Sequence, residues 1–326
     1  MILGIESTAH TFGVAVVNKG KILANERDMY IPEKGGIVPM ESAGHHKKAA
    51  HSLYKQALEK ANIQEKNIKA IALSNAPGLA PCLHVGLNFA KELVSTLKIP
   101  IIPVNHCIAH LEIGCSVGAK DPVLLYANGA NTQIIAYAAG KYRVFGETLD
   151  LGIGNFIDKV ARDFGLAFPG GPKIEQLAVD GKYVELPYSI KGMDISLSGM
   201  QTKIKQLHGK GVSKEDLAFS LQETAFAMLV EAAERALAHT GKTELVLGGG
   251  VACNSRLQEM CRIMCSERLV ETKFFCPDKP LLVDNAAMIA YTGELMFSRD
   301  KSLALPPEKV DIKPRERTDM VRVTWR

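Results

Sequence analysis

Short apolar runs separated by turn-forming residues open the chain. Ile2 to Ile5 reads as a strand, Ser7 and Thr8 as a polar loop, an apolar strand leaves that loop, and Gly20-Lys21 marks a tight turn into a third strand. The spacing then changes. Apolar residues recur at helical intervals over 46–62, a strand follows at 69–74, a helix at 87–97 and a strand at 101–104. The opening pattern returns 120 residues later: LGIESTAHTFGVAVVNKGKIL lies over VLLYANGANTQIIAYAAGKYRV, with Gly20-Lys21 falling on Gly140-Lys141. Beyond it come a Gly-punctuated stretch (LGIGNF, FPGGP), a long helix over 214–239, a strand at 244–250, a helix at 254–268, the strand KFFCP and a helix over 284–297.

A duplicated hairpin followed each time by alternating helix and strand predicts an α/β protein of two similar lobes. The boundaries expected are 1–119 for the N-terminal lobe and 120–326 for the C-terminal one, with a helical insertion at about 152–240. Two like lobes around a nucleotide and metal cleft form the actin, Hsp70 and sugar-kinase (ASKHA) superfold. That analogy of pattern favours nucleotide binding more than any one reaction.

At 326 residues, with 47% apolar and 23% charged positions, the chain has material for a sizeable core. It contains no apolar run of the roughly 18–20 residues that a membrane span needs, and MILGIESTAHTFG lacks the basic and apolar regions of a signal peptide. A soluble, cytoplasmic protein without a membrane partner is expected. The seven cysteines are scattered and form no CxxC pair, as reduced thiols would be, rather than a disulfide framework or zinc ribbon. A net charge of +4 permits a nucleic-acid partner without requiring one.

Three places carry candidate chemistry. Asn105-His106-Cys107-Ile108-Ala109-His110 follows a strand, so Asn105 suits a helix N-cap and the two imidazoles share one helical face, where they either chelate a metal or serve structural roles. No Glu follows His106, which excludes the HExxH metalloprotease arrangement. Asp284-Asn285 opens a helix; Asp284 is either its N-cap or the oxygen ligand that completes a site begun by the histidines. Leu247 to Asn254 runs from a strand through three glycines into a helix, and the hairpin loops at Ser7-Thr8 and Asn128-Thr132 expose backbone N–H groups suited to phosphate. Pro169-Gly170-Gly171-Pro172 and Ala76-Pro77-Gly78 read as rigid loops. Asp158 and Glu175, which flank the first of these, are either contacts to ribose or substrate hydroxyls or solvated acids with no specific role. The basic C-terminal segment and Lys47-Lys48 are either RNA contacts or solvated faces.

The segments GIESTAHTFG, GGIVPMESAGHHKKAA, PVNHCIAHLEIG, FPGGPKIEQLA, KGMDISLSG and VDNAAMIAYTGE carry a resemblance that extends over essentially the whole chain. It resembles the catalytic subunit of the archaeal and eukaryotic KEOPS complex, the TsaD family. The resemblance implies an acyltransferase that moves a threonylcarbamoyl group from threonylcarbamoyl-AMP to N6 of the adenosine 3′ of the anticodon in tRNAs reading A-starting codons. It implies His106, His110, Asp284 and Tyr126 as metal ligands, with iron the first expectation and zinc or manganese compatible. It also implies Tyr126, Ala127, Asn128, Gly129, Ala130, Asp158, Gly171, Glu175 and Asn254 as contacts to ATP, AMP or the adenylate, with Mg²⁺ a further candidate. Expected partners are tRNA, the other KEOPS subunits, a small atypical kinase or ATPase on a separate chain, and the enzyme supplying the adenylate.

The chain departs from the family pattern in its nucleotide loops. Ala130 stands in place of a Gly, Ala286 likewise, Ser255 in place of a second Asn, and Ala76, Ala80, Cys82 and His84 in place of Gly, Gly, Ser and Arg. Ala130 would crowd a phosphate if its φ were positive. A slower or partner-dependent enzyme fits these changes. The competing readings are an inactive nucleotide- or metal-binding scaffold, and an ATPase or small-molecule kinase of the same superfold, for which a paired-histidine site has no use.

Overall fold

The computed structural model describes residues 1–32 and 36–326. Gly35, the first residue of the GGIVPMESAGHHKKAA segment, lies outside the described residues. In chain order the elements are β1 Ile2–Glu6, β2 Thr11–Asn18, β3 Lys21–Met29, α1 Pro39–Ala61, β4 Ala70–Ala76, α2 Ala80–Leu97, β5 Ile101–Asn105, α3 His106–Glu112, β6 Val123–Ala127, β7 Thr132–Ala138, β8 Lys141–Glu147, α4 Ile153–Asp163 and α5 Gly171–Leu177. The strand pair β9 Ile190–Lys191 and β10 Asp194–Ile195 follows, then α6 Ser198–Gly209, α7 Lys214–Thr240, β11 Glu244–Gly248, α8 Ser255–Glu267, β12 Lys273–Phe275, α9 Lys279–Leu282 and α10 Ala286–Arg299.

Two compact units result. The first contains Met1–Ser116, Ala139–Tyr142 and Asp284–Arg326, and the second Val117–Ala138 and Arg143–Val283. The chain therefore returns to the first unit at Asp284, where a C-terminal lobe running unbroken to 326 was expected; α10 is recruited by the first sheet.

In the first unit the sheet order is β3-β2-β1-β4-β5, with β1 antiparallel to β2 and parallel to β4, which is parallel to β5. Strand alternation divides the residues between two faces. Leu3, Ile5, Phe12, Val14 and Val16 join Leu53, Tyr54, Leu87 and Phe89 of α1 and α2 in one core. On the opposite face sit Gly4, Gly13 and Ala72, small residues that admit α10. A Cβ on Gly4 would lie 2.4 Å from the Ala286 carbonyl oxygen, and one on Gly293 would lie 2.4 Å from Ala72 Cβ. Because β1, β4 and β5 are parallel, Glu6, Ala76 and Asn105 end at the same edge, the usual position of ligands in open α/β sheets.

The second unit repeats the order as β8-β7-β6-β11-β12. The two hairpin turns also match: Lys19-Gly20 has φ of 52° and 75°, and Ala139-Gly140 has 50° and 78°, the left-handed pair that two-residue hairpins favour. A separate core joins β6, β7 and β11 to α4, α7 and α8 through residues such as Leu125, Ile134, Phe156, Phe226 and Leu247.

The helix starts at Pro39 and Ala80 lie several residues before those read from spacing. Each has a proline in its first turn, where the missing N–H has no intrahelical partner to lose. For the same reason FPGGP is not wholly loop, since Gly171 and Pro172 begin α5.

Candidate metal centre and nucleotide loops

Asn105 ends β5 and caps α3: its Oδ1 accepts from the N–H groups of Cys107 at 3.1 Å and Ile108 at 3.3 Å. This cap fixes the first turn, so His106 and His110 present their rings together, with centroids 4.8 Å apart. At the start of α10 the cap is Asn285, whose Oδ1 accepts from Met288 N–H at 3.0 Å. Asp284 is not the N-cap. It is released to face the imidazoles, with Oδ1 3.3 Å from His106 Nε2 and 3.5 Å from His110 Nε2. All three residues are buried, and their ligand atoms lie within 4.8 Å of one another.

Glu6, which sequence reasoning missed, stands behind His106. Its Oε2 lies 3.0 Å from His106 Nδ1, while Oε1 accepts from Thr8 N–H at 2.7 Å and Thr8 Oγ1–H at 2.5 Å. With Nδ1–H donated to Glu6, Nε2 is the ring nitrogen that faces Asp284. A carboxylate behind a histidine is the arrangement that orients metal-bound imidazoles. The signal available in the sequence was an acid closing an otherwise apolar strand, ILGIE.

The charges are consistent with this arrangement. Burial opposes a charge on His106, yet the Glu6 and Asp284 carboxylates outweigh it and hold the imidazole well above its ordinary value. Burial, with the neighbouring His106 charge, lowers His110 and leaves it neutral. Burial disfavours the Asp284 anion too, but His106 and hydrogen bonds from both rings draw its carboxyl well below the usual range. Two carboxylates that stabilise an imidazolium also stabilise a cation, and the donor set of two imidazoles and one carboxylate fits a divalent transition metal.

The remaining sequence candidates lie in the second unit. Tyr126 is buried, and its hydroxyl accepts from Asn128 Nδ2 at 2.7 Å. Its loop is closed by Asn128 N–H to the Asn131 carbonyl at 3.1 Å. Ala130 is not among the residues with positive φ, so its added methyl causes no backbone strain. The loop rests on α4, where Gly154 N–H donates to the Asn128 carbonyl at 3.1 Å and Ile153 N–H to Thr132 Oγ1 at 2.8 Å. Gly249 adopts φ 94°, and a Cβ there would come within 2.4 Å of the Ala127 carbonyl oxygen. The strand ends carrying the two Gly-containing loops thus approach closely.

Asp158 accepts Gly170 N–H at 2.7 Å, Glu175 accepts Ser255 N–H at 2.8 Å, and a Cβ on Gly171 would meet open space. Asn254 caps α8 through Arg256 and Leu257 N–H and donates to Gln222 Oε1 at 2.6 Å, so both ends of its amide serve the fold. Ser255, the departure noted in this loop, is what Glu175 holds.

Residues 21–291 match the family model TsaD, described as tRNA N6-adenosine threonylcarbamoyltransferase. The chain belongs to the TsaD family. Over 325 residues it is 52% identical to the tRNA N6-adenosine threonylcarbamoyltransferase of Thermococcus sibiricus, covering 99% of each chain. It is 51% identical over 329 residues to a probable bifunctional tRNA threonylcarbamoyladenosine biosynthesis protein of Methanosarcina mazei, covering 99% of this chain and 59% of that one. Among solved structures, Thermococcus kodakarensis HypF superposes with a TM-score of 0.64 at 15% identity, covering 90% of this chain and 47% of HypF. At that identity the likeness is one of fold, and it agrees with the ASKHA architecture expected from the duplicated hairpin. TsaD membership accounts for the tRNA-modification reading; among the described residues, no helix is long and apolar enough to cross a membrane.

Proposed function

We propose that this chain transfers the threonylcarbamoyl group of threonylcarbamoyl-AMP to N6 of the adenosine 3′ of the anticodon in tRNAs reading A-starting codons, as the catalytic subunit of a cytoplasmic KEOPS complex. The observation that carries the reading is the buried convergence of His106, His110 and Asp284, oriented by Glu6, in a member of the TsaD family.

His106, His110 and Asp284 would hold a divalent metal, iron first and zinc or manganese by the same donor chemistry. When bound, it supplies Lewis acidity toward the acyl-adenylate oxygens. Glu6 keeps Nδ1 of His106 protonated, so that Nε2 is the ligating atom. The loop from Tyr126 to Ala130, with Asp158, Gly171, Glu175 and Asn254, would receive the nucleotide, for which Mg²⁺ is a candidate counter-ion. In the transfer, the N6 amine attacks the carbamoyl carbon and a C–N bond forms. The C–O bond to phosphate breaks, AMP departs with the electron pair, and the proton lost from N6 passes to solvent water. Positioning of the two reactants supplies much of the acceleration. A Methanosarcina mazei relative is named a probable bifunctional tRNA threonylcarbamoyladenosine biosynthesis protein, which supports a partnership between this activity and a second one.

The test combines the protein with KEOPS subunits, the adenylate-forming enzyme, threonine, bicarbonate, ATP and unmodified tRNA, followed by nucleoside analysis. Threonylcarbamoyladenosine is the expected product. Its absence, while the Thermococcus sibiricus relative makes it in parallel, would leave a metal- or nucleotide-binding scaffold.

A further inference from the structure

The C-terminal segment concentrates the protein's charge. Residues 309–326 contain six basic side chains and three acidic ones, a net +3 of the whole chain's +4. The segment is bonded to the edge of the first sheet where the metal centre lies. Lys313 N–H donates to the Asn75 carbonyl at 2.8 Å, Gly78 N–H to the Pro314 carbonyl at 3.2 Å, and Asn105 Nδ2 to Glu316 Oε2 at 3.4 Å. Asn105 immediately precedes His106. Gly78 packs against Thr8, which hydrogen-bonds to both Glu6 and His106. Lys313, Pro314, Arg315, Glu316, Arg317 and Met320 form an open groove of about 660 Å³.

From this placement we infer that the groove is a track for the phosphate backbone of the RNA substrate beside the metal centre, an inference that rests on the reading of the chain as a tRNA-modifying enzyme. Arg315 is exposed and makes no ion pair among the described residues. Lys313 and Arg317 point outward in surface pairs with Glu316 and Asp319, at 2.7 and 3.3 Å, which contribute little and exchange readily for phosphate. Guanidinium forks match phosphate oxygens, and each phosphate neutralised releases counterions and adds to the salt dependence of binding. Among the described residues no aromatic side chain lines the groove, which suits a backbone track rather than a base-reading surface.

Binding of a tRNA anticodon stem-loop to the full metal-loaded protein, measured by anisotropy over a salt series, tests the inference. Arg315→Ala with Arg317→Ala is expected to weaken binding about tenfold and to flatten the slope of log K against log salt by about 1.5, because two phosphates are no longer neutralised. Metal content should be unchanged, and Arg315→Lys with Arg317→Lys should recover most of the affinity. Unchanged affinity and slope in the folded Ala variant would overturn the inference, as would a loss equal at every salt concentration or a loss of an acidic protein partner alone. Because the readout is binding, a wild-type protein that binds the RNA but transfers nothing would refute the transferase reading and leave this one standing.

Discussion

Glu6 lies 3.0 Å from His106 Nδ1, the ring nitrogen turned away from Asp284, and so fixes which imidazole nitrogen faces that carboxylate. Glu6→Gln preserves the shape and removes the charge. The expected result is metal binding weakened 10- to 100-fold, with the folded spectrum retained, in a chelator-competition titration. A second buried ring gives a pH dependence. Burial and the adjacent His45 push His46 down to about 4, with its Nε2 3.1 Å from the Ala9 carbonyl oxygen. The unfolded chain takes up that proton near pH 6.5, so between 6.5 and 4 it binds more protons than the folded state. Stability should fall as pH drops through that window, by up to about 3 kcal/mol, and His46→Gln should flatten the trend in urea titrations.

Among the elements, α10 joins packing to chemistry. Its small residues lie against Gly4 and Gly13, and its first turn is set by Asn285, which places Asp284 one residue upstream. Gly4→Ala would drive a methyl into the Ala286 carbonyl and displace that turn. About 2 kcal/mol of stability should be lost, visible as a lower Tm, together with metal affinity. A valine at the solvent-exposed Ser298 should change neither. Much of this level was readable from sequence: the strands, the Asn105 cap and the i, i+4 histidines follow from residue type and spacing. What escaped depended on context. Pro39 and Pro81 look like helix breakers until they are placed in a first turn. Asp284 and Asn285 are equally good caps by chemistry, and only the fold reveals which one turns toward the imidazoles.

For the whole molecule, the 120-residue repeat announced two sheets of one strand order, and both turns preserve the same left-handed pair. The return of Asp284–Arg326 to the first unit was not legible, because nothing local distinguishes a helix that packs on its own sheet from one that packs on an earlier one. That return brings a carboxylate 178 positions downstream of His106 to within 3.3 Å of its imidazole. The central claim is that these three side chains hold one ion. Metal content per chain, measured by mass spectrometry after chelator-free purification, tests it directly for wild type and Asp284→Ala. About one divalent ion in the wild type and its loss in the folded variant is the result expected; equal metal content in both proteins would contradict the account.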